Sequence, residues 1–343
     1  VPYAVTRTGP YAALELVPLF RHQLEACALR AGERCLVLTD SAYDPTASAA
    51  CLQAALDLGA EALLVTLPAN RGDHGGYLEP LYRASDLIVA VTPTPVHYDP
   101  HLRAALDAGA RALMAVQPSH TLARLRADTT VAERTKRGAK RLAQAATVRI
   151  TSPHGTDLSM HVGGRPVLAH YGAADAPGRF DFWGGAMVEV APYEGSVHGR
   201  LVLAPGDQVF HLGRFIAQEV VLTIDAGRVV DIAGALDALL LERYLTDLHD
   251  EAAHLVGHIA WGTDHRARWT ASLVQFPNAS AGNADAEGYL GSVQVELGSN
   301  DDQYFRGSIR SAAHLGLCLL GASVALDGEV VIEAGTLLPS VDA

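Results

Sequence analysis

A chain of 343 residues is longer than one ordinary domain and suits two. Apolar residues make up 49% of it and the mean hydropathy is +0.13, enough for full cores, so general disorder is excluded. No apolar run approaches the roughly 20 residues of a membrane span, and a net charge of −12 argues against a nucleic-acid duplex or an anionic bilayer as partner.

Helical patterns over residues 12–30, 45–58, 77–84 and 100–108 precede short continuous apolar runs at 34–39, 62–67, 86–91 and 112–116. Three of these helices run into Gly32, Gly59 or Gly109, as a left-handed C-cap prefers. Runs apolar on both faces belong to parallel strands covered by helices, so the first part of the chain reads as an open, mainly parallel α/β sheet. Residues 121–146, rich in Ala, Arg and Leu, read as one long helix with a break near Asp128.

Beyond residue 147 short strands follow one another at 148–151, 157–162, 187–190, 200–203 and 209–212. Two hairpins stand out, 220–224 with 229–232 around Asp225-Ala226-Gly227-Arg228, and 323–326 with 329–333 around Asp327-Gly328. One helix interrupts at 235–250. The expected organisation is an α/β domain over residues 1–146 and a mostly antiparallel β domain with a helical insertion over 147–343, the latter carrying the active site.

Cys27, Cys35, Cys51 and Cys318 lack CxxC spacing and sit in apolar contexts, so they read as reduced, buried small hydrophobes. The first residues show no basic segment leading into an apolar core, and a soluble cytoplasmic protein is expected. Absence of GxGxxG, P-loop and GxSxG patterns withdraws support from dinucleotide, nucleotide and α/β-hydrolase readings.

Histidine is the abundant reactive residue, at 15 copies. Most, such as His22, His74, His101, His120 and His249, stand in polar or helical surroundings and read as surface residues. Two differ. In Gly257-His258-Ile259-Ala260-Trp261-Gly262 and in Ser311-Ala-Ala-His314-Leu315-Gly316-Leu317-Cys318, a lone His enters an apolar, strand-like run. Burying imidazole there costs free energy unless the ring is hydrogen-bonded or ligated.

The stretch from Gly257 to Trp269 belongs with two others, Tyr171-Gly-Ala-Ala-Asp175-Ala-Pro177-Gly178-Arg179-Phe180-Asp181-Phe182-Trp183 and Glu194-Gly-Ser-Val-His198-Gly199. Together they resemble the 2,5-dihydroxypyridine 5,6-dioxygenase family, non-haem Fe(II) ring-cleaving enzymes related to aminopeptidase T-type metallopeptidases. The resemblance runs over most of the chain. It implies an N-terminal α/β domain with a metal-bearing β domain, commonly in homo-oligomers, and a small hydroxylated or N-heteroaromatic substrate that reacts with O2. His258 and His314 match the family's two metal-binding histidines. The peptidase branch usually carries Glu where His258 stands and another Glu around Met187, and both differences imply the oxygenase side.

The departure is at the carboxylate, since the family's His-x-Asp is His314-Leu-Gly316 here. Positions i and i+2 of a strand share a face, so the family pair aims two ligands at one ion. Three repairs are open: Glu296 from a neighbouring strand, with Gln294 on the same face; a third imidazole from His170; or a position left to water, an anion or substrate. Loss of metal is the fourth outcome. Further pocket candidates by the same comparison are Tyr98 and His97 in the loop after a parallel strand, Arg179, Phe182, Trp183 and Tyr304. His170, with Tyr98 or His97, would orient substrate and move protons. The leading expectation is thus an Fe(II) ring-cleaving dioxygenase-like enzyme. The alternatives are a divalent-metal aminopeptidase-like hydrolase and a metal-free acid–base enzyme.

Overall fold

The computed structural model describes residues 10–43, 45–68, 75–92, 96, 99–271, 284–301 and 304–342. It divides into two compact units, Val1–Asp128 with Tyr171–Gly184, and Thr129–His170 with Gly185–Ala343.

The first unit is built on a five-stranded parallel sheet. Its spatial order is Glu61–Leu67, Arg34–Asp40, Leu87–Ala90, Arg111–Met114 and Phe180–Phe182. The central strands are buried on both faces, which is why they read as unbroken apolar runs. Helices supply the covering surface: Pro45–Asp57 buries Ala47, Ala50, Cys51, Ala54 and Ala55, and Pro100–Asp107 buries Leu102, Ala105 and Leu106. The second of these begins as sequence rules dictate, with Asp99 accepting from the His101 N–H and Pro100 in the first turn. The fifth strand comes from far along the chain, Phe180 pairing with Ala112 in parallel register.

The second unit is antiparallel. Eight strands form one sheet and seven another, and the apolar faces of both enter one core that includes Leu158, Leu201, Leu222, Trp261, Val295 and Leu317. Helices Thr129–Leu142 and Leu236–Asp247 belong to this unit. The long helix expected over 121–146 is two, Ser119–Arg124 and Thr129–Leu142, parted at the expected place. The strand expected over 209–212 is corrected: pairing stops at Val209, and Phe210–Leu212 is a 3-10 turn closed by Gly213 at φ +60°. The fold class read from the sequence otherwise stands, a parallel α/β sheet followed by antiparallel sheets with helical insertions. All four cysteines are free and buried. Among the described residues no helix is long and apolar enough to cross a membrane.

Candidate metal centre

The seven-stranded sheet has two buried faces of opposite character. Its central strands Val256–Gly262, Val293–Gly298 and Met187–Val190 are buried at every position. Alternation sends Ile259, Trp261, Val293, Val295, Leu297, Val188 and Val190 into the core. The opposite face therefore receives His258, Gln294, Glu296 and Glu189. Cross-strand register then assembles them. His258 pairs with Glu296, and Glu296 with Gly316, so these three positions form one row across three strands. His314, two residues before Gly316, shares the face. Ala260 pairs with Glu189 and His170 with Met187, which brings the edge-strand imidazole onto the same surface.

Side chains close this row into a cluster. Glu296 lies between two imidazoles, with Oε1 3.5 Å from His258 Nε2 and Oε2 3.2 Å from His314 Nε2. One ligand atom from each of His258, Glu296 and His314 lies within 4.8 Å of the others. Donors bound to one ion at about 2.1 Å lie roughly 3 to 4 Å apart, so side-chain shifts of about 1 Å or less would close this set on a metal. His258 and Glu296 are 3% and 5% exposed, whereas the His314 side chain is 42% exposed and marks the solvent side. Glu189 continues the pattern, its Oε2 3.7 Å from His258 Nε2 and its Oε1 3.5 Å from His170 Nε2.

Two imidazoles and one carboxylate fit a divalent transition metal, and this donor set with open positions suits Fe(II). Of the repairs open at Gly316, the structure brings Glu296 into the cluster. His170 stays on its edge strand beside Glu189, outside the three-residue set.

The chain is similar to proteins of known activity. The family model described as NicX, 2,5-dihydroxypyridine 5,6-dioxygenase, matches residues 15–339. The chain belongs to this family. A curated 2,5-dihydroxypyridine 5,6-dioxygenase of Pseudomonas putida is 28% identical over 346 residues, covering 96% of this chain and 97% of the relative. The solved structure of 2,5-dihydroxypyridine dioxygenase from Pseudomonas putida superposes with a TM-score of 0.90 at 28% identity, over 96% of this chain and 99% of that one. AmpT from Thermus thermophilus superposes at 0.63 with 11% identity, over 95% and 99%, a likeness of fold.

Around the centre of this NicX family member lie Glu189, Glu287 and Phe305, which the sequence does not single out, together with Gln294 and Tyr304, which it does. Glu189 stands in the segment around Met187, so the carboxylate contrasted there with the peptidase branch is present in this chain. Glu287 is a third carboxyl: burial, with Glu296 and Glu189 adding negative charge, pushes it up to about 8, while His258 pulls it down. Gln294 donates to the Glu287 carbonyl at 2.8 Å. Phe305 stacks on His258 with ring centroids 4.4 Å apart and planes 23° apart. The segment bearing it is tied by buried Asn300, whose Oδ1 accepts from the Ile309 N–H at 2.8 Å and whose Nδ2 donates to the Gly257 carbonyl at 3.1 Å. Tyr304, the candidate next to Phe305, is partly buried.

Arg179, Phe182 and Trp183 belong to the other unit. Arg179 pairs with fully buried Asp181 at 2.6 Å and lies over the Tyr171 ring at 3.8 Å. Trp183 is a core residue, edge-on to Phe20 and donating to the Leu122 carbonyl. Phe182 packs edge-on against Phe180. His97 and Tyr98 lie outside the described residues.

Proposed function

We propose that the protein is a non-haem, divalent-metal oxidoreductase of the ring-cleaving dioxygenase type, with O2 as co-substrate and a small hydroxylated aromatic or N-heteroaromatic compound as substrate. The observation that carries this is the convergence of His258, Glu296 and His314 from three adjacent strands in a NicX family member. These residues would hold the metal, Fe(II) by ligand type. When bound, such an ion supplies the one-electron chemistry through which O2 reacts with an electron-rich ring.

The remaining roles belong to the chain itself. Glu189 lies between His170 and His258, placed to keep the His170 ring oriented and to receive or return its proton. His170 is then the base that takes a hydroxyl proton from the ring, which raises the electron density that oxidation requires. Phe305 on the His258 face shields one side of the imidazole from water and fixes its plane. Partly exposed His314 leaves the opposite side for entry.

A hydrolase would use further carboxylates to hold a second ion. Glu189 and Glu287 are near, yet among the described residues the metal-ligating atoms that converge are those of His258, Glu296 and His314. The deciding experiment loads the protein anaerobically with Fe(II) and adds oxygen with a panel of hydroxypyridines and dihydroxybenzenes. Oxygen uptake with loss of ring absorbance supports the proposal. Cleavage of peptide anilides with Zn²⁺ or Co²⁺, and no oxygen uptake on any ring compound, overturns it.

A further inference from the structure

Position 316 faces the same volume as His314 and lies directly across from Glu296. What occupies its space is an aromatic ring. The short strand Gln208–Val209 pairs with Cys318 and Leu317, so the next residue would oppose Gly316 if the strand continued. Instead the chain turns into Phe210–Leu212, and the Phe210 ring comes down over the glycine. A Cβ at 316 would sit 2.3 Å from Phe210 Cδ2 and 2.7 Å from Cε2, separations that real Cβ atoms do not show. The ring cannot swing away freely. It is 6% exposed and packs in a cluster with Trp269, Ala286 and Cys318, against which Phe215 and Tyr289 rest. Trp269 is itself pinned, its indole N–H donating to the Gly206 carbonyl at 2.9 Å and its carbonyl accepting from Gln208 at 2.6 Å.

We propose that Phe210 and Gly316 are a matched pair that closes position 316 to any side chain, so that the carboxylate of the centre has to come from Glu296 on the adjacent strand. This rests on the metal-centre reading above. Directly paired residues stand about 5 Å apart across a sheet, and glutamate has one methylene more than aspartate with which to cross that gap. Glu296 uses it, splitting its two oxygens between His258 and His314. The carboxylate position is therefore set by an aromatic residue that is not itself a metal ligand. Phe210 acts as a positioning residue for the donor set, and removing its ring makes the two carboxylate positions interchangeable.

The test combines thermal melts of metal-free protein with Co²⁺ titrations followed by the ion's visible absorption. Gly316→Ala should lower the melting temperature by about 3 °C or more, and most of that loss should vanish in a Phe210→Ala background. Phe210→Val is the second background if the alanine variant does not fold. Glu296→Gln should weaken Co²⁺ binding by about tenfold or more. Adding Gly316→Asp to Glu296→Gln should restore affinity with Phe210→Ala present and fail with Phe210 intact. Gly316→Ala as stable as wild type overturns the proposal. So does rescue by Gly316→Asp with the ring in place, or a folded triple variant that binds no better than Glu296→Gln with Phe210→Ala. Wild type that takes up no Co²⁺ refutes the metal reading instead, and the melts still judge the pair.

Discussion

A histidine on a buried strand needs a partner for its ring nitrogens, and that cost makes His258 legible before any coordinates exist. Glu296 is legible for a related reason: Val293-Gln294-Val295-Glu296-Leu297 alternates strictly, and one face of it is polar. Glu189 is the single polar residue of Met187-Val188-Glu189-Val190, and four residues are too short a run to reveal which face is polar. Phe305 sits in a polar segment where nothing in the sequence places it on His258. Glu287 carries the clearest prediction at this scale. An unfolded glutamate loses its proton near 4.5, and this one keeps it to about 8. Between those values the folded protein holds a proton that the unfolded chain has released, so its stability falls as pH rises from about 4.5 to 8. Glu287→Gln should remove that fall. In urea unfolding of metal-free protein at pH 5, 6.5 and 8, the variant should gain on wild type as pH rises. A difference independent of pH contradicts the placement.

At the scale of elements, the sequence marks helices and hairpins well because caps and turn residues are local signals. The break between Ser119–Arg124 and Thr129–Leu142 and both hairpins, around Ala226-Gly227 and Asp327-Gly328, fall where the residues point. Phe180–Phe182 is three residues joining a sheet whose other strands end by Met114, and such distant pairing leaves no local trace. The 3-10 turn at Phe210 reads as strand because Phe210 and Leu212 flank a single polar residue in alternation; in the fold the chain turns there and the Phe210 ring lies over Gly316. The segment 304–309 depends on Asn300, and Gly307 must be a glycine because a Cβ there would lie 2.1 Å from Asn300 Oδ1. Asn300→Ala leaves the Ile309 N–H and the Gly257 carbonyl without these partners, a cost of about 1–3 kcal/mol. Amide exchange at Phe305–Ile309 should quicken in that variant while the Val293–Gly298 strand stays protected. Equal protection of both segments in variant and wild type contradicts the anchoring role.

For the molecule as a whole, the decisive feature is a sheet buried on both faces, one apolar and one lined by acids and imidazoles. The apolar face joins the core of the second unit and fixes the strands. Register then dictates which polar residues meet, so the site is a consequence of strand pairing. Sequence alone reveals the two histidines and a choice of third ligand; the choice itself needs the register, because Glu296 and Gly316 are twenty residues apart and adjacent only across the sheet. The most direct measurement is the iron content of protein reconstituted anaerobically with Fe(II) and then desalted. The account predicts about one iron per chain in wild type and in His170→Ala, and little in His258→Ala, His314→Ala or Glu296→Gln. Iron-free wild type, or Glu296→Gln holding iron as firmly as wild type, would contradict it.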